Sequence, residues 1–130
     1  MTRARILIIE DDPASLEVAR YLLNYAGHRT ISAIDGGQGA ELAVDQGPDL
    51  ILCDLQLPVM DGYHVLSQLR EDPRWRRVPL IAVTASSMIG DREKVLAAGF
   101  DGYISKPIVP ETFVAEVESF LPRTGASDRA

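Results

Sequence analysis

Cysteine occurs once in this 130-residue sequence, histidine twice and tryptophan once. The lone thiol, Cys53, cannot form an internal disulfide, and no Cys/His cluster has the spacing of a zinc site. Cys53 falls inside an apolar run, where it reads as a small buried hydrophobe rather than a reactive thiol. Positive charge is also scarce. Thirteen Lys and Arg face nineteen Asp and Glu, a net charge of −6. That balance argues against a nucleic-acid partner, because phosphate backbones select basic surfaces. No apolar run approaches the ~20 residues of a membrane span. The basic start Thr2-Arg-Ala-Arg5 leads into a four-residue aliphatic stretch rather than a signal-peptide core. What remains is a soluble, cytoplasmic single domain, long enough to bury a core without disulfides or a structural metal.

The apolar residues fall into five short runs alternating with five helical periods. Ile6-Leu-Ile-Ile9 is an unbroken aliphatic run of the kind buried on both faces of a parallel sheet. It ends in Glu10-Asp-Asp12 and Pro13, a helix start in which Asp12 caps and Pro13 takes the first helical position. The helix carries Leu16, Ala19, Leu22, Leu23 and Ala26, and Gly27 ends it. A second strand, Thr30–Ile34, turns through Asp35-Gly-Gly into a helix expected to face Ala40, Ala43 and Val44 inward and to close at Gly47. The third strand is Pro48–Cys53, and its helix is marked by Val65, Leu66 and Leu69. The fourth strand is Pro79–Val83, with a helix from about Asp91 to Ala98 that stops at Gly99. The fifth strand is Gly102–Ser105, and the last helix opens with Pro110 and buries Phe113, Val114, Val117, Phe120 and Leu121. This alternation predicts an α/β fold, a parallel sheet with helices on both faces. Residues 1–122 are expected to form the domain and 123–130 a disordered tail.

The stretch Ile51–Gly62 organises the rest. It places Asp54 where an apolar run ends, then breaks the strand pattern with Pro58 and Gly62. An isolated Asp there reads as a turn residue, but other strands end in a similar way. The first ends in Glu10 and Asp11, the fourth in Thr84 and the fifth in Lys106. All the strands of a parallel sheet present their carboxyl ends along one edge, so these residues converge. Two carboxylates about 5 Å apart repel by roughly 3 kcal/mol at an effective dielectric near 20, and Lys106 offsets one charge only. A hard divalent cation relieves the rest, and Mg²⁺ takes a few oxygen ligands while keeping waters. Asp11 and Asp54 are the expected direct ligands, Glu10 acts through a water, and the Gln56 backbone carbonyl completes the set. With a metal present, a phosphoryl group is the natural substrate. Asp54 would attack phosphorus to give an acyl phosphate. Lys106, the Thr84 hydroxyl and the Ala85 N–H would bind the transferring oxygens.

At these residues the chain resembles the receiver domain of bacterial two-component response regulators. The carriers are Glu10-Asp11, Asp54 with Leu57-Pro-Val-Met-Asp-Gly62 after it, Thr84-Ala85, and Lys106-Pro107, and the likeness runs from about Arg5 to Leu121. The resemblance implies a doubly wound (βα)5 fold with strand order 2-1-3-4-5. It also implies a phosphoryl group received on Asp54 from a histidine kinase or phosphotransfer protein, with Mg²⁺, and a cis peptide before Pro107. It further implies a switch pairing Thr84 with Tyr103, which repacks the face made by the fourth helix, fifth strand and fifth helix. On that reading the chain is a phosphoryl acceptor and switch rather than an enzyme, although it assists its own phosphorylation and dephosphorylation. Glu10 stands where many relatives carry Asp, and Gln56 and Ser86 are the positions expected to tune dephosphorylation.

Other signals point elsewhere and are weaker. Gly37-Gln-Gly39 resembles a dinucleotide fingerprint but comes after the second strand and lacks the third glycine. Asp54-Leu-Gln56 lacks the second acid of an aspartyl-phosphate phosphatase. Arg74-Trp-Arg-Arg77 reads as a solvated connector, and His28 and His64 read as surface residues. The alternative to a phosphorylated switch is a receiver-shaped interaction module that makes no use of phosphorylation; the filled acidic, hydroxyl and lysine positions favour the switch. The expected docking surface comprises Arg92, Lys94, Ile108 and Val109, with homodimerisation through the same face.

Overall fold

The computed structural model describes residues 3–57, 61–73, 78–85 and 91–121. The Arg74–Arg77 cluster, Ser86 and the tail after Leu121 lie outside the described residues, as does Pro58–Met60. Among the described residues ten elements alternate: β1 (Arg5–Ile9), α1 (Pro13–Tyr25), β2 (Arg29–Ala33), α2 (Gly36–Gln46), β3 (Leu50–Cys53), α3 (Gly62–Glu71), β4 (Leu80–Thr84), α4 (Asp91–Ala98), β5 (Gly102–Ser105) and α5 (Pro110–Ser119). The sheet is parallel throughout, in the order β2-β1-β3-β4-β5. β1, β3 and β4 lie inside it, and apart from Arg5 every residue of these three strands is buried. This is why they read as unbroken apolar runs rather than alternating ones. Leu7, Ile9, Ile51, Cys53, Leu80 and Ala82 pack on α2, α3 and α4. Ile6, Ile8, Leu50, Leu52, Ile81 and Val83 pack on α1 and α5, against Leu23, Phe113 and Val117.

Side-chain caps set the starts of α1, α2 and α3. Asp12 accepts from the Ser15 N–H at 3.0 Å with Pro13 at the first position, and Asp35 accepts from the Gln38 N–H at 2.8 Å. Asp61, a cap that the apolar period from Val65 does not reveal, accepts from the His64 N–H at 3.0 Å and starts α3 at Gly62. Gly27, Gly47 and Gly99 come just after their helices with positive φ, at 101°, 58° and 122°. There a Cβ would be strained.

Two expectations need correction. Val44 does not face inward: it is 53% exposed, while Gly36, Gly39 and Ala43 form the buried face of α2. A Cβ on Gly39 would collide with the Ile9 side chain, so α2 lies close against β1 along its small residues, and this rotates Val44 to solvent. His28 is not a surface residue. Its Nδ1 accepts from the Ala4 N–H at 3.0 Å, and its Nε2 lies 2.8 Å from Glu118 Oε2. Nδ1 is thereby the acceptor, so the ring proton sits on Nε2 and is donated to Glu118. The histidine joins the start of β1 to the end of α5. His64, in contrast, is well exposed on α3. The last helix ends at Ser119, with Phe113 and Val117 fully buried and Val114, Phe120 and Leu121 partly so.

Candidate functional site

The carboxyl ends of β1, β3, β4 and β5 meet at one edge. β1 and β3 are neighbours paired through Ile9 and Cys53, so the next residues along, Glu10 and Asp54, emerge side by side. Glu10 and Asp54 are buried and Asp11 is exposed. One oxygen from each of the three carboxylates lies within 4.8 Å of the others.

Lys106 comes directly after β5, and its N–H donates to the Thr84 carbonyl at 2.9 Å. Its ammonium lies 2.6 Å from Glu10 Oε1 and 3.0 Å from Asp54 Oδ2, bridging two of the acids. The peptide bond from Lys106 to Pro107 is cis. Backbone donors hold the remaining carboxylate oxygens. The Gln56 N–H donates to Asp54 Oδ1 at 3.0 Å, and the Asp12 N–H donates to Glu10 Oε2 at 3.1 Å. Asp12 thus does two jobs, its side chain capping α1 and its amide fixing Glu10. Only the first is a side-chain pattern that a sequence displays.

Burial pushes the Glu10 carboxyl above its ordinary range and the charge of Asp54 adds to the rise, while the Lys106 and Asp12 hydrogen bonds pull against it. For Lys106, burial pulls down. Its hydrogen bonds to Glu10 and Asp54 outweigh that and leave the ammonium raised, hence charged. Cys53 is raised by burial and then by the neighbouring acids, so it stays a thiol.

Thr84 is buried at the end of β4, and Ala85 after it is exposed. In the β4–β5 register Thr84 pairs with Ser105 and Ala82 with Tyr103. Alternation along each strand therefore puts Thr84 and Tyr103 on the same face as diagonal neighbours. Tyr103 is partly buried against the α2–α3–α4 core. Arg92, Lys94 and Val109 are exposed, and Ile108 is partly buried against the α1–α5 core.

The sequence from 6 to 118 matches the family model of the response regulator receiver domain. The chain belongs to that family. The receiver is 39% identical over 121 residues to the polar-differentiation response regulator DivK of Brucella ovis, covering 93% of this chain and 98% of that one. A putative response regulator from Chloroflexus aurantiacus superposes with a TM-score of 0.87 at 29% identity, covering 94% of this chain and all of the other. The receiver domain of a sensor histidine kinase from Pseudomonas aeruginosa, which holds a magnesium ion in its active-site cleft, does so at 0.82 with 36% identity, covering 92% and 98%. Receiver domains act as phosphoryl-accepting switches.

The acids of this receiver suit the same kind of ion. They are hard oxygen donors, the kind Mg²⁺ takes, and one oxygen from each lies close enough to the others for the three to border a single ion. Among the described residues, no helix is long and apolar enough to cross a membrane.

Proposed function

We propose that this receiver takes a phosphoryl group onto Asp54 and uses it to switch protein–protein contacts. The observation that carries the reading is the setting of the Asp54 carboxylate. It stands at the end of a central strand, held between the Lys106 ammonium and the Gln56 N–H, with Glu10 and Asp11 beside it. An ionised carboxylate needs no general base. As its oxygen bonds to phosphorus, the phosphorus–nitrogen bond of a phosphohistidine donor breaks, and the electron pair leaves with the imidazole. Lys106 neutralises the transferring oxygens, and the Thr84 hydroxyl and Ala85 N–H complete their binding. Glu10, Asp11, Asp54 and the Gln56 carbonyl would hold Mg²⁺, which when bound supplies further positive charge there.

The donor is a histidine kinase or phosphotransfer protein in the cytoplasm. The protein turns over no separate substrate; its own residues assist the gain and loss of the group. Movement of Thr84 toward the phosphoryl group and of Tyr103 into the space vacated repacks the α4–β5–α5 face. That face, with Arg92, Lys94, Ile108 and Val109, is where a target or a second copy docks. The diagonal placement of Thr84 and Tyr103 on one face of the sheet supports this coupling.

Acetyl phosphate with Mg²⁺ tests the reading. Intact-mass measurement should show the gain of one phosphoryl group, lost in Asp54→Asn and blocked by chelation. A wild type that gains no mass, or an Asp54→Asn variant that still does, sinks the assignment.

A further inference from the structure

Gly62, the first residue of α3, has no role in the chemistry above, yet its surroundings stand apart from those of the other described glycines. A Cβ there would stand 2.8 Å from the Asp54 carbonyl oxygen and 2.9 Å from the Leu55 Cα, both main-chain atoms, and 3.0 Å from the Leu55 Cδ2. Gly39 and Gly102 are more tightly crowded, but by the side chains of Ile9 and Phe120. Side chains can turn aside; the backbone of a residue leaving a central strand cannot do so without displacing the loop beyond it. Gly62 is buried, and its N–H donates to the Leu55 carbonyl at 3.0 Å. The first turn of α3 is therefore pressed against the backbone of Asp54 and Leu55 and bonded to it. One residue further on, the Gln56 N–H donates to Asp54 Oδ1.

The geometry points to Gly62 as a positioning residue for the acceptor carboxylate: its missing side chain lets α3 clamp the Asp54–Gln56 backbone so that the Gln56 N–H meets Asp54 Oδ1. The inference rests on Asp54 being the acceptor, but its geometric part does not require phosphorylation or metal. Gly62→Ala would force helix and backbone apart, and the Gln56 amide would lose its carboxylate partner. The loss would extend to the metal, because support around metal ligands is typically worth about ten- to a hundredfold in affinity.

Three readouts on the full chain separate this from plain destabilisation, with Gly39→Ala as the control that crowds a core side chain instead. In metal-free protein, the amide proton resonance of Gln56 should move upfield in Gly62→Ala and stay in place in Gly39→Ala. Mg²⁺ affinity, measured by calorimetry, should fall about tenfold or more in Gly62→Ala only. In wild type, the amides of Gly62 and Gln56 should exchange with solvent at matching rates, as parts of one clamped unit. That measurement stands even if Gly62→Ala does not fold. An unmoved Gln56 resonance, an equal change in both variants, or a Gly62 amide exchanging far faster than that of Gln56 overturns the inference. If wild type binds no Mg²⁺, the metal leaves the proposed function, and the Gln56 resonance still decides the role of Gly62.

Discussion

Replacing Lys106 by methionine exposes the charge balance of the site. The substitution keeps an unbranched stem of similar length and deletes the ammonium that bridges Glu10 and Asp54 at 2.6 and 3.0 Å. The three side chains are only 14%, 6% and 9% exposed, so solvent screens them poorly. Without the ammonium, carboxylate oxygens within 4.8 Å of one another face each other uncompensated. A pair of unit charges at that separation repels by about 3 kcal/mol at an effective dielectric near 20. Removing one partner of a buried pair costs about 3–5 kcal/mol in general. The cluster opens to solvent on the Asp11 side, which favours the lower end, about 3 kcal/mol.

The loss should depend on pH in one direction. Burial already holds Glu10 above its ordinary range, and Lys106 is the main influence pulling it down, so the variant raises it further. A carboxyl raised in the folded state favours folding below its unfolded pKa, and that contribution is lost as the pH rises through the folded value. Lys106→Met should therefore be most deficient above that range and recover part of its stability as the solution is acidified and Glu10 takes up a proton. Urea unfolding monitored by far-UV circular dichroism in chelator, at mildly acid and mildly alkaline pH, measures both. A deficit under about 1 kcal/mol at alkaline pH, the size of an exposed pair, or one that is equal at both pH values, would refute the reasoning.

Three further substitutions test other parts of the structure. His28→Ala leaves the Ala4 N–H without its acceptor and should cost at least the ~1–3 kcal/mol of an unsatisfied buried group. Glu118→Gln keeps an acceptor oxygen and should cost much less; equal losses in urea titrations would show that the histidine bridge is misread. Asp12 is lowered by the side-chain and backbone donors of Ser15, so its cap stabilises above the unfolded pKa and fades as the pH falls through the folded value. Asp12→Ala should melt below wild type at neutral pH and converge with it in acid, and a gap that ignores pH would mean the charge on the cap contributes nothing.

The fold is legible in the sequence because its signals are local. Buried strands such as Leu50–Cys53 are continuous apolar runs, and Asp12-Pro13 and Gly99 mark where helices begin and end. The site is legible for a related reason: once the strands are parallel, topology alone brings Glu10, Asp11, Asp54, Thr84 and Lys106 to one edge. What escapes is set by distant neighbours. Nothing near His28 in sequence reveals that Ala4 and Glu118 will enclose it. Nor does periodicity choose between the adjacent Ala43 and Val44. The close approach of Gly39 to Ile9 makes that choice. Gly62 reads as a strand breaker, and its proximity to the Asp54 backbone is a fact of packing between two elements.

The placement of Lys106 bears on where a change at Asp54 would be felt. In the order β2-β1-β3-β4-β5, the lysine lies past the end of one edge strand while Glu10 lies past the end of a strand three places away, about 14 Å at ordinary strand spacing. Lys106 closes that distance, its amide bonded to Thr84 and its ammonium to Glu10 and Asp54. The β5 edge is thus tied electrostatically to the central acids. The other edge strand, β2, ends at Ala33 and is followed by Ile34, and neither carries charge into the site. On the proposed reading, new negative charge on Asp54 competes for the Lys106 ammonium, and the main chain that must respond is that of β5, three residues from Tyr103. A switch built on this site should therefore read out through β5 and the helices beside it rather than through β2, and the asymmetry arises from which edge strand supplies the cation.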